Sequence, residues 1–468
     1  MKPAINFLLL TAALTCFATL QPAQAQMYYD DGRLICCGSA VAGLSSNASF
    51  INPAGLGGAT QTSHSLNLMQ PGFNAYGNAI ERKDALKFLF SNQEMTDSTK
   101  GSILSNVTNG QGNFLFDGNM NMNWIAYAFT HPKIGGLSFN LTEKITSRMN
   151  LQPEMTDLLL NGNQPTAGNP EAVQPQQGIS IGKGYGLGNS TIYYHHIREA
   201  NLAYGRQAIG NEKVKLLIGA NVKMVWGIGH LDINVQDSVV NGASSFSDVY
   251  NINYGTLDSV FSDFKRNLFK TAGRGTAYSV GVQLVWKKLN IGITTFQVGP
   301  IKWKHRNNLT ANSENGQMPA DSTDTFNGIS SYNFSSQTDA VYQLFGFQPG
   351  QTFSNRANGK LRINADYNLF KRFKIFSDVL IYTRDGTLGK LPNNYITGVN
   401  LDVVPQKFMI TTGVQYNKEI KVRYPVGISV AINKNAFLSI STGDVKTFLS
   451  KKSDPYSSLS VSLIGVAF

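Results

Sequence analysis

Residues 213–227 read K-V-K-L-L-I-G-A-N-V-K-M-V-W-G, and their alternation decides the fold. Every even position from Val214 to Trp226 is apolar (Val214, Leu216, Ile218, Ala220, Val222, Met224, Trp226), while the odd positions include Lys213, Lys215, Asn221 and Lys223. A period of two puts successive side chains on opposite faces of a strand, so this segment has one greasy and one wet face. The pattern recurs. Leu361, Ile363, Ala365, Tyr367 and Leu369 alternate with Arg362, Asn364, Asp366 and Asn368, and Tyr278, Val280, Val282, Leu284 and Trp286 with Ser279, Gly281 and Gln283. Soluble sandwich strands also alternate but average about five or six residues. These run near the ~9–11 residues that a tilted strand needs to cross a bilayer.

The same reading predicts about fourteen strands: 64–90, 120–130, 136–146, 192–206, 213–227, 275–287, 289–299, 359–370, 374–384, 394–403, 407–417, 422–433, 436–444 and 458–468. Tight links such as Gly210-Asn211-Glu212 and Lys287-Lys288 alternate with long polar stretches at 147–191, 228–274 and 300–358. Short turns at one end and long loops at the other describe an all-β, transmembrane antiparallel β-barrel, whose closure removes the unpaired edges that lipid does not tolerate.

The N-terminus predicts export. Met1-Lys2 is basic, Phe7–Leu20 is apolar, and Ala23-Gln24-Ala25 is a small-residue cleavage site, which makes 1–25 a signal peptide too short to span a bilayer. Cys16 lacks the preceding residues of a lipoprotein signal. After cleavage only the adjacent Cys36 and Cys37 remain, so no disulfide framework is expected. The 468 residues show no linker between separately packed cores. Lys and Arg total 40 against 29 Asp and Glu, a net charge of +11, but the basic residues are scattered in twos and threes rather than gathered in a stripe. That excludes nucleic acid and leaves anionic headgroups of outer-membrane lipid and lipopolysaccharide as partners.

Catalytic and cofactor chemistry find no foothold. The six histidines (His64, His131, His195, His196, His230, His305) lack metal-ligand spacing, and adjacent His195 and His196 must point to opposite faces of a strand. Gly182-Lys183-Gly184-Tyr185-Gly186 is glycine-rich without the helix of a phosphate loop. The chain is therefore read as a non-enzyme with no cofactor and no metal.

Between signal and barrel lies S-F-I-N-P-A-G-L-G-G, residues 49–58. Pro53 fixes φ and Gly55, Gly57 and Gly58 permit close backbone approach. The stretch reads either as a surface Asn-Pro turn or as part of a compact plug at 26–62, ahead of a barrel at 63–468. Asn52-Pro53-Ala54 in this position resembles the N-terminal hatch of FadL-type outer-membrane transporters of hydrophobic compounds, and the PorV-like barrels of type IX secretion are similar. The segments from His195 (H-H-I-R-E-A-N-L-A-Y-G-R-Q), Lys215 and Gly273 (G-R-G-T-A-Y-S-V-G-V-Q-L-V-W) look like a group of Bacteroidota outer-membrane proteins catalogued as a domain of unknown function. The resemblance implies a hatch or gate at Asn52, Pro53 and Ala54. Strand alternation makes Lys215, Asn221, Lys223, Arg362, Asn364 and Asp366 candidates for the lumen face, where Lys215, Lys223, Arg362, Asn364 and Asp366 offer partners to the polar backbone of the plug. The terminal Phe468, with Val466 and Ile464 on its face, looks like the signal read by the barrel-assembly machinery. Two functions fit: a passive channel for hydrophobic small molecules, and an adaptor barrel that docks secretion or surface partners.

Overall fold

The computed structural model describes residues 51–80, 94–162, 188–211, 213–236, 239–247, 270–304, 308–312, 342, 345–356, 359–384, 393–405, 407–418, 421–432, 436–446 and 456–467. The signal segment, most of the 26–62 stretch including Cys36 and Cys37, the 182–186 glycines and Phe468 lie outside them.

Twenty strand segments make one antiparallel sheet. They are β1 (Ser63–Gly77), β2 (Phe114–His131), β3 (Gly135–Leu151), β4 (Ser190–Gly210), β5 (Val214–Gln236), β6 (Val239–Phe246), β7 (Gly273–Trp286), β8 (Leu289–Val298), β9 (Ile301–Trp303) and β10 (Leu309–Asn312). The remainder are β11 (Gln348–Pro349), β12 (Phe353–Asn355), β13 (Gly359–Phe370), β14 (Phe373–Arg384), β15 (Asn394–Val404), β16 (Phe408–Asn417), β17 (Lys421–Arg423), β18 (Val426–Ala431), β19 (Ala436–Thr442) and β20 (Tyr456–Ala467). Among the described residues the ladder runs β1-β2-β3-β4-β5-β7-β8-β13-β14-β15-β16-β18-β19-β20 and returns to β1. These fourteen staves close a barrel, and the other segments prolong or flank them.

The wall sorts residues as the alternation requires. On β5 Val222 is 58% exposed on the outside, beside Leu202 and Tyr278 of the neighbouring staves, whereas Leu217 and Val225 are 1% exposed inside. Tyr204, Trp286 and Phe370 stand exposed toward the short-turn end, where an aromatic girdle belongs at a membrane interface. Among the described residues no helix is long and apolar enough to cross a membrane; the crossing elements are strands.

Several boundaries differ from the sequence reading, among them the start of β2 at Phe114 instead of 120. β1 ends at Gly77 instead of continuing to 90. β3 runs on to Leu151 and is followed by helix α2 (Pro153–Asn161), with α1 at Asp97–Asn106. Met155, Leu158, Leu159 and Leu160 of α2 and Ile103 of α1 bury against Phe116, Met149, Ile192, Leu231 and Ile233, a second apolar core on the outer wall toward the loop end. Finally, β5 continues to Gln236 and turns back as β6, inside what the sequence reading takes as a loop. The reason is a bulge: Ile197 pairs with Gly227 but His196 with Gly229, leaving Ile228 extra. Beyond it, inward positions change from odd to even.

Candidate functional site

Asn52-Pro53-Ala54 lies inside the barrel. The Asn52 side-chain oxygen accepts from the Ala54 amide at 3.0 Å, capping a 3₁₀ turn over Pro53–Gly58 in which Pro53 supplies the pre-set φ of a first helical position. The Asn52 Nδ2 donates to the Val282 carbonyl at 3.1 Å on the wall. Pro53, Ala54, Leu56 and Gly57 are buried.

The wall receives this turn on a row of glycines. Gly136, Gly205, Gly219 and Gly281 face one another in register across β3, β4, β5 and β7. A β-carbon on Gly205 or Gly219 would overlap the Pro53 backbone, one on Gly281 the Asn52 side chain, and one on Gly136 the Leu56 carbonyl at 2.6 Å. Conversely, a β-carbon on Gly57 would strike the backbone of Arg206. Backbone therefore lies flush on backbone, which residues with side chains do not allow. Leu56 fills the remaining hollow between Ala128 and Ala203. At Gly292 a β-carbon would meet Asn364 Oδ1 at 2.6 Å and Asn52 Nδ2 at 2.8 Å, so Asn364 borders the turn.

Three of the charged candidates, Lys223, Arg362 and Asp366, are engaged with other wall residues. Lys223 Nζ sits 3.6 Å from Glu199 Oε2, which Lys144 approaches at 3.1 Å. Arg362 Nε pairs with Asp378 Oδ2 at 2.8 Å, both nearly fully buried. Asp366 accepts from Asn290 Nδ2 at 2.9 Å and has Lys374 at 4.0 Å. Asn221 accepts from Ser279 Oγ at 2.6 Å, and Lys215 lies half-buried on the inward side of β5 near its short turn. For the described turn, Asn364 is the candidate at its border. Burying a charge without a partner is costly, so the wall pairs its charges with one another, and the turn rests on neutral backbone.

Sequence reasoning missed the glycine row and a second inward cluster nearer the loops. Trp303 is fully buried, and β-carbons on Gly227 and Gly273 would overlap its ring. Its indole packs beside His230, 5.2 Å away at 23°, and Phe353, 6.1 Å away at 16°, and these two rings are 5.5 Å from each other, so the three form a triangle. Trp303 Nε1 donates to Asn355 Oδ1 at 2.9 Å, and Asn355 Nδ2 lies 3.4 and 3.3 Å from Nδ1 of His195 and His230. Ile197, Val225, Ala277 and Ile301 surround it. His196 points the other way, to Glu143 Oε1 at 2.7 Å on the outer wall. Glycines at inward parity (205, 219, 281) were the available sign of the first site; the shift of apolar residues from even to odd positions after Trp226 was that of the second. No group of three or more metal-binding side chains occurs among the described residues.

A closed antiparallel barrel with an apolar outer belt, a polar inner wall and its own chain seated within is a plugged transmembrane β-barrel. The chain belongs to a family of unknown function, DUF5723, whose model matches residues 58–444. Among solved structures it is similar to the toluene transporter TodX of Pseudomonas putida, at 10% identity, TM-score 0.40, over 96% of this chain and 98% of that one. It is also similar to a FadL homologue of Pseudomonas aeruginosa, at 9% identity, TM-score 0.37, over 93% and 96% of the two chains. The monoaromatic hydrocarbon channel CymD matches at 12% identity, TM-score 0.38, over 90% and 91%. No curated protein matches the chain.

Proposed function

We propose that the protein is an outer-membrane channel that passes hydrophobic small molecules by displacement of its hatch. The observation that carries this reading is the seat: a capped turn, buried in the lumen, held by close packing on a glycine row and by an amide hydrogen bond to the wall. Among the described residues this turn carries no charge, so its release from the wall breaks no buried ion pair of its own. Toward the loop end the inner wall carries Val225, Ile197, Trp303 and Phe353, an apolar and aromatic lining suited to a ligand of low polarity. Export by the 1–25 signal, recognition of Phe468 by the assembly machinery and contact with lipopolysaccharide complete the proposal.

The adaptor reading draws on a different feature, the layer of α1 and α2 on the outer wall at the loop end, which would present an ordered surface to a partner protein. Uptake of N-phenyl-1-naphthylamine, an apolar fluorophore, into proteoliposomes separates the two. A channel raises the uptake rate several-fold over protein-free vesicles, and Gly219→Leu, which unseats the turn, changes that rate. Uptake equal to protein-free vesicles for both proteins, with the barrel folded, sinks the channel.

A further inference from the structure

We propose that the Trp303–Asn355 cluster is a second barrier on the loop side of the lumen, in series with the hatch, with Trp303 the residue that sets which molecules pass. The proposal rests on the channel reading above.

The argument starts from a distance that the topology does not allow on a round wall. In the ladder Asn355 on β12 is separated from His195 on β4 by four strand-to-strand steps: β12 pairs with β9, β9 with β7, β7 with β5, and β5 with β4. At ~4.8 Å per step that arc is about 19 Å. Yet the Asn355 amide nitrogen stands 3.4 Å from His195 Nδ1, a reach that two such short side chains do not have across an evenly curved wall. The wall must therefore be indented there, carrying β9 and β12 toward β4 and β5 and narrowing the lumen.

The indentation is fastened through one amide. Asn355 Oδ1 accepts from Trp303, and its Nδ2 closes a triangle with Nδ1 of His195 and of His230, the three nitrogens 3.3–3.4 Å apart, within which the imidazole tautomers set who donates. Phe353, Trp303, Gly273, Gly227 and Ile197 form one continuous rung, and the indole lies over its two glycines. Asn308 joins β6 to β9: it accepts from Ser245 Oγ at 2.7 Å and donates to the Trp303 carbonyl at 3.1 Å. On β5 this cluster lies eight to eleven residues from Gly219, toward the loops, so the two closures stand at different heights. A molecule must pass both.

The test measures arabinose entry by liposome swelling for the full chain, Trp303→Ala, a deletion of residues 52–58, and the two combined, with heat-modifiable migration confirming a folded barrel in each. Trp303→Phe, which keeps the ring but loses the N–H, replaces Trp303→Ala if the latter does not fold. Barriers in series predict small rises for each single change and about tenfold or more for the combination, since the higher remaining barrier limits the rate. If the hatch deletion alone gives the full rise and the Trp303 substitution adds nothing, the second barrier is overturned while the channel stands. If all four folded proteins swell alike at the wild-type rate, the lumen is no passage and both readings fall together.

Discussion

At the residue scale the most informative side chain is Asn52. One amide caps the turn through its oxygen and fastens it to the wall through its nitrogen, a double use that neither Asp nor Ser offers, since an Asp carboxylate has no donor and Ser lacks the reach. Asn52→Ala is expected to weaken the seat by ~1 kcal/mol. Amide exchange across residues 54–58 should then quicken about fivefold, with the strands unchanged. Exchange rates equal to wild type would show that glycine packing alone holds the turn. Gly219 makes the complementary case. Gly219→Ala adds a single carbon where the Pro53 and Ala54 backbone already sits, and overpacking of this kind typically costs ~1–3 kcal/mol. The turn, not the barrel, should yield. Protease cleavage near residue 53 should appear while heat-modifiable migration persists.

At the element scale, the strands of the far wall are joined by side-chain pairs that cross the lumen face. Arg362 on β13 and Asp378 on β14 are the tightest, at 2.8 Å and nearly fully buried. Removing one partner strands the other charge, so Asp378→Ala should destabilise the barrel by ~3–5 kcal/mol, whereas the paired replacement Arg362→Met with Asp378→Leu should recover most of that. Urea unfolding from lipid vesicles reads both. Equal loss in the single and paired variants would mean that the pair matters for its shape rather than its charge. Helix α2 shows how local signals set an element: Pro153 at its first position, Gly162 with φ 80° at its end, and leucines turned to the outer wall. The sequence reading passes over it because nine residues inside a long polar stretch carry too little periodicity to stand out.

At the scale of the whole molecule, solvent decides. The outer wall meets hydrocarbon, and Val222→Arg within the exposed belt should cost ~2–4 kcal/mol near the midplane. Lys213→Gln at the strand foot should stay within about 0.5 kcal/mol. Refolding yield into vesicles checks the pair, and equal yields would contradict the facing of β5. Deleting Phe468 makes a different forecast: outer-membrane yield should fall in cells while refolding of the purified chain into vesicles stays normal, since an assembly signal acts on the machinery and not on stability. Normal surface levels would remove Phe468 from that role.

The sequence by itself determined the wall. Fourteen staves, their faces and most of their ends were legible because lipid on one side and polar groups on the other impose a period of two on each strand separately, and such a rule is local. β13, read at 359–370 and found as Gly359–Phe370, is the clearest instance. The turn at Asn52 was legible as a candidate from its residue types, though not its seat. Only the tertiary structure decided what meets inside. The register that aligns Gly136, Gly205, Gly219 and Gly281, the exchange of Arg362 and Asp378 across two strands, and the indentation that brings Asn355 to His195 all depend on how distant strands are matched. One extra residue at Ile228 reverses the inward face for the rest of β5. Pairing between strands is a non-local choice, made when the ring closes, and no single strand's pattern contains it.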